Sequence, residues 1–536
     1  MKKTICIITA CLMVVVLGLA LYGEEPRVLR MSQSWPTRID PHIGNDGSSR
    51  TAYVNLFDSL VYPDKNSQPQ PHVATHWDAT EDGLTYTFYL RDDVRFHDGT
   101  PLTAKDVKYS MDRLLTMGEG FAFLFSGKIE STDVVDDYTV RFNLQSAYGP
   151  FLLSLIRLYI VNSELAIANT KAEGPYGENG DYGRAFLQMN DSGSGPYFVK
   201  EFRLEEELVM GKNEDYFIPI PEEAPDEFRL IGTTQPAVVR TMMAKRELEI
   251  TDAWQAYDAL VNMAKQEGVE LVETATGAPF VVMMHTRRPP LDDIHVRRAL
   301  CYAFDYDVVR EEIVPGAPAM IGPVPLTTSG AIQIDRYPHE RNLELAREEL
   351  KKSKYYGELD QYTLTAIFSQ GVMTQEHAAL LLQANAAEIG IKVQPKVTPW
   401  MTVLEMTADI DAAADMQITF VTPALPEAGI AFLGRNHSSG AKTYTQNEWL
   451  LDPVLDKMIE DALATLDQEG RFAQYAVIQE YITDRTPTIN MCENIRRYAY
   501  QAGYVDWPLD ELPQPLFSYT FAGRFFKVYP EKKAAL

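Results

Sequence analysis

The sequence predicts an α/β protein of at least two lobes, on three observations. The chain has 536 residues, several times the ~100–150 of one domain, so more than one core is expected. Residues 363–368 and 392–396 are strand-like runs flanking a helical stretch, 374–389, that stops at Gly390; strand, helix, strand of this kind builds α/β layers. Residues 80–115 encode a hairpin strand, a tight turn and a capped helix.

Within that last unit, Tyr86, Phe88 and Leu90 alternate with Thr87, Tyr89 and Arg91, the period-2 pattern of a strand with one buried face. Asp98-Gly99 supplies a turn that tolerates positive φ. Thr103 is placed as an N-cap with Asp106 three residues on, at the positive end of the helix dipole, and Val107, Met111, Leu114 and Leu115 share one face. Further along, Val296, Ala299, Leu300, Ala303 and Phe304 recur at helical spacing. Pro/Gly-rich joints fall at 174–195, 218–225, 277–279 and 315–325, and Glu205-Glu206-Glu207 reads as a solvated edge.

Composition narrows the function classes. Apolar residues at 46% and charged residues at 23% exclude wholesale disorder. A net charge of −26 repels nucleic acid and anionic headgroups, so neither is an expected partner. Lys2-Lys3, an apolar run over residues 5–22 and the switch to Glu24-Glu25 follow the order of a secretory signal, here residues 1–23, cleaved after Ala20 or Gly23. An uncleaved anchor and lipidation at Cys11 are the competing readings. Beyond the signal, only Cys301 and Cys492 remain. Their spacing carries no disulfide signature, and two buried free thiols are expected.

Enzyme signatures are missing: there is no G-x-x-x-x-G-K-[ST], H-E-x-x-H, G-x-S-x-G or C-x-x-C. His72 and His76 have the i, i+4 spacing of a helical metal pair, but no third ligand is apparent and ordinary surface histidines are expected. No cofactor and no metal are implied.

The string F-H-D-G-T-P-L-T-A-x-D-V over residues 96–107 and the helix V-R-x-A-x-x-x-A-x-D over residues 296–305 resemble the family 5 extracellular solute-binding proteins, the peptide, opine and nickel group that serves ABC importers. Weaker matches at 55–61, 193–197 and 388–393 extend the resemblance over most of residues 27–504. It implies the periplasmic binding protein fold of the second type: lobe I from 27–50, 193–278 and 499–536, an inserted domain at 51–192, and lobe II from 279–498. The crossings would fall near 277–280 and 496–501. It further implies a non-catalytic, monomeric receptor that captures a peptide, or alternatively an oligosaccharide or opine, less readily nickel, and hands it to ABC permease subunits outside the cytoplasm.

A binding cleft needs aromatic wall and a few placed polar groups. On the family template Trp400, Trp254 and Trp35 fall at or near the cleft rim, and Phe420 is taken with them as a ligand-binding candidate; Trp77 is assigned to packing. Peptide-binding members carry an acidic residue for the ligand's α-ammonium where, ungapped, this chain has Ala424. Glu427 is the nearby carboxylate that could replace it. An uncompensated buried ammonium is costly, so this departure bears directly on the ligand class.

Overall fold

The computed structural model describes residues 25–33, 38–204, 206–513 and 515–536. Residues 1–23, the expected signal, and Trp35 lie outside them.

Three sheets organise the chain. The first has the order Val28–Ser32, Glu227–Ile231, Glu207–Lys212, Tyr197–Arg203, parallel between its first two strands and antiparallel beyond. A four-stranded antiparallel sheet, Ala74–Ala79, Thr85–Leu90, Thr139–Leu144 and Ile129–Asp136, is inserted after the helix Gly47–Leu56. Its Thr85–Leu90 strand buries Tyr86, Phe88 and Leu90, the face anticipated from alternation. The helix Ala104–Met117 follows, with the Thr103 amide donating to Asp106 Oδ2 at 2.9 Å and Gly118 (φ +65°) closing its end. A cap of this type satisfies donors that the first helical turn leaves unpaired.

The third sheet orders Lys392–Thr398, Thr363–Ser369, Met416–Phe420, Glu270–Met284 and Thr488–Tyr500. Its last two strands form one long antiparallel ribbon, from Glu270 opposite Tyr500 to Met283 opposite Thr488. One end, at Leu271 and Ala499, packs with Val239, Met243, Leu260 and Met263. The other end, at Phe280, Val282, Ile489 and Met491, belongs to the core around the helices Ile294–Ala303 and Met373–Ala387. The ladder breaks register between Ala275 and Pro279, where Gly277 takes φ +58°. A backbone with positive φ admits glycine without the Cβ clash other residues meet. Opposite this break stand Ile495 and Glu493, so the return strand is interrupted a few residues before the anticipated 496–501.

Two further stretches bear on the expected boundaries. The helix Gly47–Leu56 runs unbroken across residue 51, where the insertion was expected to begin, and packs on residues 517–521, with Asn55 Nδ2 donating to the Phe521 carbonyl at 2.9 Å. The helices Ala428–Arg435, Pro453–Ala464 and Gln468–Arg485 share a core with Tyr148, Phe151 and Leu155 of the inserted segment, although they belong to the predicted lobe II. The Gly149 amide donates to the Leu463 carbonyl at 2.8 Å. A Cβ on Gly149 would stand 2.6 Å from the Thr465 carbonyl oxygen, so only glycine allows this approach.

Cys301 and Cys492 are free and buried, their thiols each pushed up to about 12 by burial. Thiols that hold their protons this firmly are inert packing groups.

Candidate functional site

A cavity of about 430 Å³ opens where the three parts of the chain meet, within the ~300–1,000 Å³ range of small-ligand sites. Ile43, Asn45 and Arg50 enter from the N-terminal segment and the helix Gly47–Leu56, Gly118–Phe121 and Phe123 from the segment after the helix Ala104–Met117, and Val421–Ala424 with Lys442–Thr445 from the stretches after the strand Met416–Phe420 and before the helix Pro453–Ala464. Leu404 and Thr407 of the helix Trp400–Thr407 complete one wall.

Three arginines converge on the loop that follows the strand Met416–Phe420. Arg496 Nη2 donates to Thr422 Oγ1 at 3.1 Å, Arg50 Nη1 to the Pro423 carbonyl at 3.2 Å, and Arg157 Nε to the Ala424 carbonyl at 3.0 Å. Arg50 and Arg496 lie over the same Phe517 ring, at 4.9 and 3.9 Å, and Arg157 lies over Phe121 at 5.2 Å. Stacking of guanidinium on aromatic faces is favourable when both are desolvated. Burial, and after it the charge of Arg157, push Arg50 down to about 9, against the opposing pull of Tyr444. At neutral pH it remains a cation.

A second crevice, about 40 Å³, lies across the ribbon between Trp254, Tyr257, Phe420, Arg496 and Arg497. Trp254 and Phe420 are brought together there, 6.1 Å between centroids, and Phe420 stacks on Phe280 at 4.3 Å. Asp252, beside Trp254, is pushed up to about 6 by burial, against the bonds it accepts from Gln255, the Trp254 amide and Ser32. Trp400 does not line the large cavity. It stands behind Tyr444, edge to face at 5.0 Å, and Tyr444 forms the wall.

Glu427 is placed elsewhere. It is buried, and its Oε1 accepts from Arg471 Nε at 3.0 Å and from the Tyr475 hydroxyl at 2.7 Å. The carboxylate anticipated for a ligand ammonium is thus spent within the protein, outside the cavity lining. His72 and His76 also depart from expectation. His72 is buried with Nε2 2.8 Å from Asp58, while His76 sits on the strand Ala74–Ala79, stacked on Tyr89. Their side chains are not on one helix face. Among the described residues no group of three His, Cys, Asp or Glu side chains is placed to hold a metal.

The arginines escaped the sequence reading because a lone Arg has no local signature, and positions 50, 157 and 496 meet only through the fold. The one hint was Ala424, whose loop they share.

Comparisons with known proteins agree with this architecture. Residues 68–439 match the family model "Bacterial extracellular solute-binding proteins, family 5 Middle". The probable D,D-dipeptide-binding periplasmic protein DdpA of Escherichia coli K12 is 27% identical over 463 residues, covering 84% of this chain and 85% of its own. The fold is similar to the periplasmic binding protein DppA of Helicobacter pylori, solved with the peptide STSA, at a TM-score of 0.81 and 21% identity over 94% of this chain and 98% of that one. It is also similar to AgaA of A. tumefaciens R10, solved with agropinic acid, at a TM-score of 0.79 and 20% identity over 94% and 99%. The chain belongs to the family 5 bacterial extracellular solute-binding proteins.

Proposed function

We propose that this chain is the substrate receptor of an ABC importer, exported by residues 1–23, which captures a short peptide between its lobes and presents the closed form to the permease. The carrying observation is the 430 Å³ cavity walled by both lobes and the insertion, beside a ribbon that changes core at Gly277. A ligand that touches every wall binds the closed form better than the open one, and that difference drives closure. The peptides named with DdpA and DppA support the ligand class. The side chains around the cavity offer contacts and charge but no nucleophile paired with a base, so capture without turnover is the expected chemistry.

A second reading, a receptor for an acidic opine, draws on Ala424 and the arginines around it, with AgaA as the structural parallel.

Mass spectrometry of solute retained after gentle purification, followed by calorimetry with di- to tetrapeptides, tests the proposal. Micromolar binding, roughly −8 kcal/mol, is expected. A retained sugar or opine together with silence from the peptides would replace the peptide reading.

A further inference from the structure

Two bare stretches of backbone in the first third of the chain are met by a single turn from its last quarter. The turn joins the helices Pro453–Ala464 and Gln468–Arg485. The Leu463 carbonyl at its start accepts the Gly149 amide at 2.8 Å. A Cβ built on Gly149 would stand 2.6 Å from the Thr465 carbonyl oxygen, and one built on Gly83 would stand 2.7 Å from both terminal methyls of Leu466. Both glycines are thus approached to a distance that a side chain would forbid. Gly83, at φ +65°, belongs to the turn that leads into the strand Thr85–Leu90. It is buried while its neighbours Glu81 and Asp82 are exposed, so Leu466 covers one point of an otherwise solvated turn.

Arg471 shapes the incoming segment. Its Nη1 donates to the carbonyls of Thr465 and Leu466, at 3.0 Å each, which fixes how Leu466 projects towards Gly83. Leu466 nevertheless keeps 39% of its surface exposed. Two glycines, one backbone hydrogen bond and one partly exposed leucine make a small, wetted contact, of the character found where parts of a chain move against each other. Among the described residues that line the large cavity, none belongs to this contact.

We propose that the turn at residues 463–466 is a latch, which seats on Gly83 and Gly149 only when the lobes close and so stabilises the closed form whether or not a solute is bound. The inference rests on the reading of the chain as a two-lobed receptor, in which residues 83 and 149 lie in the inserted domain and residues 463–466 in lobe II, but not on the class of solute.

Because it stands away from the cavity, the latch adds the same stabilisation for every solute. While the empty chain is mostly open, each factor it adds to the closed-to-open ratio appears as the same factor in affinity, chiefly as slower release. Selection among solutes is left to the cavity wall. The latch sets the overall strength of capture.

Cross-linking tests this. A Cβ at position 83 lies 3.3 Å from Leu466 Cγ, near the ~3 Å that separates a Cβ from the far sulfur of a disulfide. The double variant Gly83→Cys with Leu466→Cys is therefore expected to join on oxidation; Cys301 and Cys492 are buried and take no part. Without solute, the oxidised variant should show a smaller radius of gyration by small-angle scattering than its reduced form, and tri-alanine should enter it at least tenfold more slowly. Leu466→Ser, at a partly exposed position and with folding checked by circular dichroism, should release tri-alanine roughly three- to tenfold faster. It should leave the order of affinities among tri-alanine, its N-acetylated form and its amide unchanged.

If the oxidised and reduced forms scatter alike while tri-alanine still contracts the wild type, the latch is overturned and lobe closure stands. Equal profiles together with bound tri-alanine and no contraction overturn both. If tri-alanine does not bind but the oxidised form is the more compact, the latch stands and the peptide reading falls. Failure of the folded double variant to cross-link, or unchanged release from Leu466→Ser, overturns the latch.

Discussion

Arg471 donates from Nε to Oε1 of Glu427 at 3.0 Å, in a site where both side chains are less than one-tenth exposed. The pair joins the start of the helix Ala428–Arg435 to the helix Gln468–Arg485. Tyr475 donates to the same oxygen, its hydroxyl proton held firmly by burial and by the Glu427 charge. Removing one member of a buried pair leaves the other charge uncompensated.

Glu427→Gln is accordingly expected to destabilise the fold by about 3 kcal/mol and to leave the affinity of the folded protein unchanged. Urea unfolding read beside calorimetry checks both halves. A large loss of affinity at unchanged stability would return Glu427 to the ligand site.

His42 joins the segment before the helix Gly47–Leu56 to the helix Ala104–Met117. Arg113 Nη1 lies 3.0 Å from its Nδ1 and also donates to Asp40, while Nε2 faces the Tyr159 carbonyl at 2.9 Å. An arginine donates only, so Nδ1 accepts and the ring is the neutral Nε2–H tautomer. Burial, and then the Arg113 charge, lower its pKa from 6.5 to about 4. A depressed folded-state value favours the deprotonated form, so this stability is complete above pH 6.5 and is lost as pH falls towards 4. At ~1.4 kcal/mol per pKa unit the loss is about 3 kcal/mol. His42→Gln should flatten the stability profile between these limits relative to wild type, measured by thermal or urea melts. Parallel profiles would refute the assignment.

The two placed tryptophans should rank in a definite order. Trp254 lines the small crevice beside Phe420, whereas Trp400 stands behind Tyr444 and lines neither cavity. Trp254→Ala is expected to weaken binding by roughly 1 to 3 kcal/mol, as for an interface anchor, and Trp400→Ala by less. Calorimetry of both variants decides, and the reverse order would place the ligand against the helix Trp400–Thr407.

Lobe closure should be visible in solution. With saturating solute the radius of gyration from small-angle scattering should fall, because the ribbon can flex where its ladder breaks at Ala275–Pro279. An unchanged scattering profile in the presence of proven binding would rule out a hinge at this point.

The sequence by itself determined the local units and the family. The alternation of Tyr86, Phe88 and Leu90 and the pairing of Thr103 with Asp106 are short-range consequences of strand period and helix-end chemistry, and both are found where expected. The apolar faces of the helices Ile294–Ala303 and Ala104–Met117 are equally local. Only the tertiary structure decided the site. Trp254 met Phe420, and Arg471 claimed Glu427, because partners distant in sequence have no spacing rule. The three arginines gathered at residues 422–424 for the same reason. A side chain's charge can be read from one letter, but whether that charge is neutralised depends on which groups the fold brings within a few ångströms.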